Sequence, residues 1–286
     1  MKTKKHLKVF IFSLNKGIIL LKIISGVVFM NRTLITGASS GLGKELAKLY
    51  AKDNNSLVLV ARNEEKLLEV KNEILTLYNV ECDIVTSDLS TKEGWEKVYN
   101  YTEEKGYFIN NLVNNAGFGD RTDFLQMDIN KQIEMTEVNC NAALYFTRMY
   151  LPMMVKNNEG HIINVASIAG FLPGPYMCTY HATKAYLLML GEAISYEIRS
   201  TKVKLLTLCP GPFKSEFVAK AGNDFTFEKI KPIEASKVAA YGYKQSKKGK
   251  RVAIVGFGNK LTIFFTRLFP RNLVTMGSAK TMKKGA

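Results

Sequence analysis

Acidic residues are absent from both ends of this 286-residue chain. Residues 1–29 carry six Lys and Arg side chains and residues 235–286 carry twelve, and neither segment contains Asp or Glu. Because these ends hold more positive charge than the net +15 of the whole chain, the part between them is mildly acidic. We therefore expect no nucleic-acid surface on the body of the protein. Basic ends that also hold apolar runs favour contact with an anionic membrane surface.

Cysteine is scarce and scattered. The four cysteines are Cys82, Cys140, Cys178 and Cys209, with no CxxC pair and no histidine at metal-ligand spacing. This pattern argues against a disulfide-rich secreted scaffold and gives no sign of a metal site. We expect a reduced, cytoplasmic compartment in which the thiols are small buried hydrophobic groups.

The chain also lacks a long uninterrupted apolar run. Residues 1–29 start with charge and continue with apolar residues, but Asn15, Lys16 and Lys22 interrupt them. A membrane-spanning helix needs about 20 mostly apolar residues, and no A-x-A-like signal-peptide cleavage site precedes the first predicted strand. Two interpretations stay open. Residues 1–29 are a membrane-associating extension, or Met30 is the true start of the protein.

The sequence does contain a regular alternation of short apolar runs with helical patterns, from about residue 33 to residue 256. Seven runs are continuous and rich in leucine or β-branched residues: TLIT, SLVLVA, CDIVT, NNLVNNA, HIINVAS, VKLLTLC and RVAIVG. Such runs are typical of parallel strands that are buried on both faces. We therefore predict an α/β fold, a doubly wound parallel sheet of Rossmann type with helices on both faces, as a single domain over residues 30–257.

A glycine-rich turn follows the first predicted strand, where TGASSGLGKELA leads into a helical pattern. Glycines let the backbone turn tightly and approach a pyrophosphate, which then lies at the amide-rich N-terminus of the helix. The position of this turn between the first strand and the first helix predicts a dinucleotide site. Its candidate cofactor-binding residues are Gly37, Ser39, Ser40, Gly41, Leu42 and Gly43.

The end of the second predicted strand indicates which nicotinamide cofactor binds. An acidic residue there would hold the ribose 2′-hydroxyl of NAD(H), whereas a basic residue would hold the 2′-phosphate of NADP(H). The strand ends in Ala61 and Arg62, with no carboxylate at either position. We expect NADP(H) to be preferred over NAD(H), with Arg62 on the phosphate. The alternative is that Arg62 is a solvated residue at the start of a helix.

A tyrosine precedes a lysine by four residues at three places: Tyr101–Lys105, Tyr180–Lys184 and Tyr243–Lys247. Residues four apart meet on one face of a helix, so this spacing alone indicates no chemistry. The context favours the second pair, because Ser167 lies at the end of the preceding predicted strand and Asn139 lies on the preceding long helix. We interpret the other two pairs as surface neighbours.

Seven motifs occur in an order that resembles the short-chain dehydrogenase/reductase family over about residues 32–257: TGASSGLG, SDLS, NNAG, VNCNA, INVASIAG, YHATK and CPGPFKS. The resemblance implies an NAD(P)-dependent enzyme that interconverts carbonyl and alcohol groups. It implies that Tyr180 donates a proton to the substrate carbonyl oxygen and that Ser167 holds this oxygen. Lys184 would lower the pKa of the phenol, which is ordinarily about 10, and would bond the nicotinamide ribose. Asn139 would support a proton relay through water.

The same resemblance extends the cofactor site beyond the glycine turn. It implies that Asp88 contacts adenine, and that the stretch of residues 114–117 lines the adenosine side. The loop CPGPFKS would pass the nicotinamide, with Ser215 where the family often has threonine. The cofactor-binding residues implied in this way are Asp88, Asn115, Ala116, Gly117, Tyr180, Lys184, Pro210, Gly211 and Ser215. A homo-oligomer is a further expectation, since the family commonly pairs through long helices.

For the substrate and for the C-terminal segment, the sequence allows more than one interpretation. Apolar residues after the strands predict a lipophilic carbonyl substrate or, alternatively, a packed lid. These residues are Phe171, Leu172, Tyr176, Phe213 and Phe217. Residues 258–286 form a basic amphipathic segment, which predicts either binding to a membrane surface or a flap over the substrate entrance. A helix that contacts another subunit or caps the core is the alternative.

A second class of function competes with the enzyme. A non-catalytic NADP(H)-binding sensor or scaffold could use the same fold, since function lives in sites rather than in folds. The complete set of Ser167, Tyr180, Lys184 and Asn139 favours the enzyme, because a sensor needs only the nucleotide loop. An epimerase of the extended branch of the superfamily fits less well, since the glycine spacing and the chain length are those of the shorter branch.

Overall fold

The structure, a computed structural model, describes residues 8–14, 17–24, 27–214 and 232–282 of the chain. Its strands are, in chain order, β1 (Lys8–Leu14), β2 (Gly17–Ile24), β3 (Val27–Thr36), β4 (Leu57–Ala61), β5 (Cys82–Thr86), β6 (Tyr107–Asn114), β7 (His161–Val165), β8 (Lys204–Cys209), β9 (Phe213–Lys214), β10 (Ile233–Glu234) and β11 (Val252–Ile254). Its helices are α1 (Gly41–Lys52), α2 (Glu64–Leu77), α3 (Lys92–Glu104), α4 (Ile129–Thr136), α5 (Ala142–Asn157), α6 (Cys178–Glu197), α7 (Ala235–Lys247), α8 (Phe257–Thr266) and α9 (Arg271–Met282). A π-helical turn (Glu137–Asn141) joins α4 to α5, and a 3₁₀ turn (Ile168–Phe171) follows β7.

Seven strands pair in parallel, in the spatial order β5-β4-β3-β6-β7-β8-β11. Each of the seven predicted apolar runs overlaps one of these strands, so the predicted doubly wound sheet is confirmed. Every residue of β4 is buried, as expected for a strand covered on both faces. The chain order runs outward from β3 in both directions, which places a crevice between β3 and β6 at the carboxyl ends of the strands.

Helices cover both faces of this sheet. On one face α1, α2 and α7 enclose a core that includes Tyr50, Leu67 and Val238. On the other face α3 and α5 enclose a second core that includes Phe146, and α6 packs beside it. The apolar residues of α1 recur at intervals of three and four, which gives the helix one face for the sheet. Each large side chain buried in this way contributes about 1.5–3 kcal/mol to stability.

The N-terminal residues extend the sheet with antiparallel strands. β1 pairs with β2, and β2 pairs with residues 27–30 at the start of β3. A strand pair was not among the expectations for residues 1–29, although the isoleucine-rich sequence of β2 favours extended backbone. Among the described residues, no helix combines the length and the apolarity needed to cross a bilayer. Association of residues 1–29 with a membrane stays a prediction.

A short parallel pair forms between β9, which follows β8, and β10, which directly precedes α7. An ion pair between Lys214 and Glu234, 2.8 Å apart, joins the two strands. Residues 215–231 lie outside the described residues. The predictions for Ser215 and Phe217 therefore stay predictions.

Three of the four cysteines are buried, as the sequence predicts. Burial raises the pKa of the Cys82 and Cys209 thiols to about 12 and that of the Cys140 thiol to about 11. The prediction is wrong for Cys178, which is exposed because it is the first residue of α6 and does not face the sheet.

Candidate active site

A cleft with a volume of about 500 Å³ lies at the carboxyl ends of β3 to β8. It lies at the crevice that the strand order creates, which is where ligands of open α/β sheets bind. Most of the residues that the sequence predicts for the site line it: Gly37, Ser39, Ser40, Gly41, Leu42, Arg62, Asp88, Asn115, Ala116, Gly117, Ser167, Tyr180, Lys184, Pro210 and Gly211. Gly43 and Asn139 lie behind this lining, where Gly43 packs against Gly37 and Asn139 hydrogen-bonds with Phe118.

The glycine turn is held in a shape that few other residues allow. Gly37 and Gly41 have positive φ values of 64° and 52°, which lie in the left-handed region. A Cβ atom on Gly43 would lie 2.3 Å from the carbonyl oxygen of Gly37, so Gly43 lets α1 start directly against the turn. The turn therefore presents its backbone and the N-terminus of α1 to the cleft, as binding of a pyrophosphate requires.

A threonine and an asparagine fasten this turn to the end of β6. The Asn115 side-chain amide donates to the carbonyl oxygens of Thr36 (2.9 Å) and Gly37 (3.0 Å). In return, the Thr36 hydroxyl accepts from the backbone amides of Asn115 and Ala116, both at 3.0 Å. Sequence reasoning missed Thr36, although its place directly before the first glycine was a usable signal.

The stretch that resembles an adenosine-lining motif is divided between two roles. Residues 115–117 line the cleft, whereas Asn114 is buried behind it. The Asn114 amide donates to Asn164 Oδ1 (2.8 Å) and to Thr147 Oγ1 (3.0 Å), which ties β6 to β7 and α5. The expectation that Asn114 lines the adenosine side is therefore corrected. Adjacent residues at the end of a strand point to opposite faces.

Positive side chains mark the far edge of the cleft. Arg62 follows β4 and forms an ion pair with Glu134, 3.0 Å away, while 63% of its side chain stays exposed. Lys66, one turn later on α2, lines the same edge. Sequence reasoning missed Lys66, although its place in the first turn of the helix that follows Arg62 was a usable signal. Asp88 is on the same wall, where its carboxylate accepts from the amide (3.0 Å) and hydroxyl (2.9 Å) of Ser90.

Ser167, Tyr180 and Lys184 come together at the opposite end of the cleft. Ser167 follows β7 and caps the 3₁₀ turn, where its Oγ accepts from the amide of Ala169 (3.1 Å). Its side chain also hydrogen-bonds with Tyr180. Tyr180 and Lys184 project from successive turns at the start of α6, because residues four apart share one helix face.

Burial controls the protonation of the tyrosine and the lysine. Lys184 is 4% exposed, and its Nζ donates to the carbonyl oxygen of Val165 (2.9 Å) at 5.7 Å from the centre of the Tyr180 ring. Burial lowers the pKa of Lys184 to about 8. Burial also raises the pKa of Tyr180 to about 12, against the lowering effect of its hydrogen bond with Ser167. The expectation of a lowered phenol pKa is therefore corrected, since desolvation outweighs the hydrogen bond with Ser167.

Asn139 joins the loop and the helix that surround Lys184. Its fully buried side chain accepts from the amide of Phe118 (3.0 Å) and donates to the Phe118 carbonyl (2.9 Å) and to Thr183 Oγ1 (3.0 Å). These bonds tie the loop after β6 to α6. A Cβ atom on Gly117 would lie 3.3 Å from Lys184 Nζ, so the glycine leaves room for the amine. A proton relay through Asn139 stays a prediction.

The other two tyrosine–lysine pairs have nearly the same local geometry. The lysine nitrogen lies 5.8 Å from the ring centre in Tyr101–Lys105 and 5.0 Å in Tyr243–Lys247. Tyr243 packs edge-on against Tyr50 and donates to Asp53, and Tyr101 packs near Tyr107. Both tyrosines are thus engaged in contacts between elements and are less exposed than the surface interpretation expected.

Apolar side chains form the outer wall of the cleft. These are Phe118, Val138, Leu172, Met177, Phe213 and Met282. Phe171, which the sequence also suggested, instead packs on the cluster of α6 and β8. His181 also lines the cleft and bonds through Nδ1 to the carbonyl of Leu172 (2.9 Å).

The C-terminal helices close one side of this wall. α8 packs against the 3₁₀ turn, and Met282 at the end of α9 lines the cleft. Arg121 holds this end, since its Nε donates to the Met282 carbonyl (2.7 Å) and its Nη2 donates to the same oxygen. Sequence reasoning missed both residues, because 161 positions separate them and no local pattern joins them.

Comparison with known proteins agrees with this geometry. The family model of the short chain dehydrogenases matches residues 31–225. An uncharacterized oxidoreductase of Staphylococcus epidermidis is 31% identical over 206 residues, which cover 72% of this chain and 86% of the relative. A short-chain dehydrogenase from Sphingobium yanoikuyae, solved in complex with NADPH, is 25% identical with a TM-score of 0.75, over 83% of this chain and 93% of that one. A short-chain dehydrogenase/reductase from Burkholderia phymatum, solved in complex with NAD, shows the same fold at 22% identity, with a TM-score of 0.76 and the same two shares of coverage.

Proposed function

The chain belongs to the short-chain dehydrogenase family and is an oxidoreductase with a nicotinamide cofactor, and on this premise we propose that it interconverts a carbonyl and an alcohol on a lipophilic substrate, with NADPH preferred. One observation carries the proposal. Ser167, Tyr180 and Lys184 line one end of a cleft whose other end is the glycine turn. A proton donor and a cofactor loop in one cleft are what a carbonyl reduction requires.

The residues at the glycine turn fit such a cofactor. Two glycines in the left-handed region and the tight approach of Gly43 leave the backbone open toward the N-terminus of α1. Arg62 and Lys66 would hold a 2′-phosphate, since both line the edge beyond β4. Neither Ala61 nor Arg62 supplies a carboxylate for a ribose hydroxyl. These features support NADP(H) over NAD(H).

Tyr180 would provide the proton. When bound, the nicotinamide supplies a hydride to the carbonyl carbon or accepts one from the alcohol. The hydroxyl of Tyr180 donates to the carbonyl oxygen, where negative charge develops. A pKa of about 12 keeps this phenol protonated at neutral pH, which suits reduction. Oxidation needs the deprotonated form and would therefore be favoured by alkaline pH.

The neighbours of Tyr180 orient this transfer. The Ser167 hydroxyl hydrogen-bonds with Tyr180 and would hold the same substrate oxygen. Lys184 is fixed by the Val165 carbonyl and would bond the cofactor ribose, and Asn139 holds the loop and helix that surround the amine. Because these groups are buried and bonded before substrate arrives, little reorganisation is needed.

The outer wall supports a lipophilic substrate. Leu172, Met177, Phe213 and Met282 line it, which leaves few polar partners for a charged or sugar-like molecule. Apolar lining with a small number of placed polar groups is typical of sites for apolar ligands. A ketone or aldehyde on an aliphatic or polycyclic body is the substrate class that this wall favours.

Turnover on a panel of lipophilic and polar carbonyl compounds, with NADPH or NADH, tests the proposal. We expect oxidation of NADPH with lipophilic ketones, and a loss of about 10²–10³-fold in kcat for Ser167→Ala, because one hydrogen bond to the developing oxyanion is removed. NADPH binding, followed by its fluorescence, should be unchanged in this variant. Binding of NADPH without turnover of any compound would instead support the sensor function.

A further inference from the structure

We propose that α8 and α9 form a docking surface for an anionic lipid bilayer. The surface consists of exposed apolar side chains flanked by exposed basic ones, and we refer to it as the C-terminal surface. Its apolar members are Phe257, Leu261, Phe264, Phe265, Leu268, Phe269, Leu273 and Met276. Its basic members are Lys260, Arg267, Arg271 and Lys280.

The apolar side chains form a continuous stripe on the outer side of α8. Phe257, Leu261 and Phe264 recur at intervals of four and three, which keeps them on one face of α8, and Leu268 continues this spacing in the turn that follows the helix. They are between 46% and 81% exposed, while Ile263 on the opposite side of the helix is 3% exposed. The helix therefore buries one residue in the protein and presents its aromatic face outward. An apolar patch of this kind marks an interaction site.

The basic side chains lie at the border of this stripe. Lys260 and Arg267 fall on the flank of α8, and Arg271 begins α9. No acidic residue occurs between positions 235 and 286. In the part of the chain that the structure describes, none of these three basic residues has an acidic partner within ion-pair distance. Their positive charge is thus available to an anionic partner.

Charge complementarity selects a lipid surface over other occupants. A second copy docked through this surface would bring like charges together with no acid between them, which costs free energy. A nucleic acid would pair with the cations but would leave the aromatic stripe in water. A bilayer with anionic headgroups can contact both the apolar stripe and the cations. Aromatic and aliphatic side chains enter the boundary between headgroups and acyl chains, while Lys and Arg bind the phosphates.

The C-terminal surface is connected to the cleft through the same two helices. α8 packs on the 3₁₀ turn that carries Ser167 at its start, and α9 ends at Met282 in the cleft wall. Docking through the outer faces of these helices would place the apolar wall near the lipid phase. A lipophilic substrate could then pass from the bilayer to the cleft without crossing water.

Flotation of the full chain with vesicles tests the surface without any turnover, so the outcome is independent of the proposed reaction. Phosphatidylcholine vesicles are compared with vesicles that also contain phosphatidylglycerol. We expect binding only to the anionic vesicles, weakened by added salt. Removing most of the stripe with Leu261→Ser, Phe264→Ser and Leu268→Ser together should reduce partitioning by at least about tenfold. Reversing Arg267 and Arg271 to Glu should reduce it by at least about fivefold for each residue.

Two matched variants control for general changes in surface. Met189→Ser removes an apolar residue that is 61% exposed on α6, and Lys202→Glu reverses a charge in the turn before β8, at the amino-terminal ends of the parallel strands. Both should bind anionic vesicles like the parent, and thermal unfolding should show that every variant is folded. Equal vesicle binding by the parent and the stripe variant would overturn the proposal. Absence of binding of the parent to anionic vesicles would also overturn it. If the stripe substitutions leave vesicle binding unchanged but convert a dimer of the parent to a monomer in sedimentation velocity, the surface serves self-association instead.

Discussion

At the residue scale, desolvation determines the protonation state of the two groups that the proposed chemistry needs. A desolvated phenol and a buried amine are both driven toward their neutral forms, so the pKa of Tyr180 rises and that of Lys184 falls. For reduction this arrangement is favourable, because a neutral phenol is the form that donates. For the lysine it is costly, since at neutral pH the amine is charged inside the protein. Function and stability are therefore opposed at Lys184.

Lys184→Met should remove activity and stabilise the fold. Because burial lowers the pKa of Lys184 from 10.5 to about 8, holding its charge costs the folded protein about 3 kcal/mol. Loss of the hydrogen bond to Val165 would cost about 1 kcal/mol, so the expected gain in the free energy of unfolding at pH 7 is about 2 kcal/mol. Urea unfolding of both proteins measures this difference.

The pH dependence of that gain has a definite sign. Below pH 8 the lysine is charged in folded and unfolded chains, so the full cost is present and the variant has its largest advantage. Between pH 8 and 10.5 the folded protein releases the proton first, and the advantage should shrink. Lys247→Met, in the pair with Tyr243, is the matched control and should give no gain. An advantage for Lys184→Met that stays constant up to pH 10.5 would contradict the interpretation.

Arg62→Ala should weaken NADPH and spare NADH. A charge-assisted hydrogen bond to a phosphate is worth about 1.5–3 kcal/mol, so the Kd for NADPH should rise by about 10–100-fold. Glu134→Gln should lower this Kd slightly, because it releases Arg62 from its ion pair. Titration calorimetry of the parent and of each variant with both cofactors measures these Kd values. Lys92→Ala removes another exposed, ion-paired cation and should change nothing. An equal loss for both cofactors would assign Arg62 a structural role.

At the element scale, the site is built where loops and helix ends meet at one edge of the sheet. The glycine turn, the end of β6, the 3₁₀ turn and the start of α6 each contribute side chains to a single cleft. The end of α9 completes it, held by the guanidinium of Arg121 on the Met282 carbonyl. A basic group at the C-terminal end of a helix is also favoured by the helix dipole. The outer wall of the cleft is thus held by a residue far away in sequence.

Arg121→Ala and Met282→Ala should have the same effect, because one releases the wall and the other removes it. Burial of a methionine side chain is worth about 1.5–3 kcal/mol, so KM for a long-chain ketone should rise by on the order of tenfold in each variant. KM for a small ketone and the Kd for NADPH should be unchanged. Steady-state kinetics with both ketones makes the comparison.

The double variant supplies the decisive control for this contact. If Arg121 acts through Met282, the two changes together should raise KM no more than either alone. Increased hydrogen exchange of the amides of α9 in Arg121→Ala would accompany the effect. Additive increases, or an unchanged KM in both single variants, would show that the contact does not shape the substrate wall.

How far the sequence predicts these elements depends on the range of the interactions. The parallel strands were predictable because strands buried on both faces need continuous apolar runs. The glycine turn and the pair Tyr180–Lys184 were predictable because their geometry is local. Asn114 and Phe171 were not, since a shift of one position decides which face a side chain takes. Contacts such as Arg121 with Met282 produce no local sequence pattern, because only the fold brings these residues together.

At the scale of the whole molecule, topology distinguishes one tyrosine–lysine pair from two others. In all three the lysine nitrogen lies between 5.0 and 5.8 Å from the ring centre, so local geometry is the same. Only Tyr180 lines the cleft at the carboxyl edge of the sheet, beside Ser167 and across from the glycine turn. Position in the doubly wound sheet, rather than the pair itself, gives the phenol its proposed chemistry.

The kcat for carbonyl reduction in Tyr101→Phe, Tyr180→Phe and Tyr243→Phe tests this claim most directly. Each change removes one hydroxyl from a tyrosine with a lysine four residues later, so the three variants are matched. Removal of a general acid costs about 10²–10⁴-fold, and we expect this loss in Tyr180→Phe alone, with NADPH binding retained. The other two variants should keep the kcat of the parent. Equal activity of Tyr180→Phe and the parent, or an equal loss in all three variants, would contradict the account.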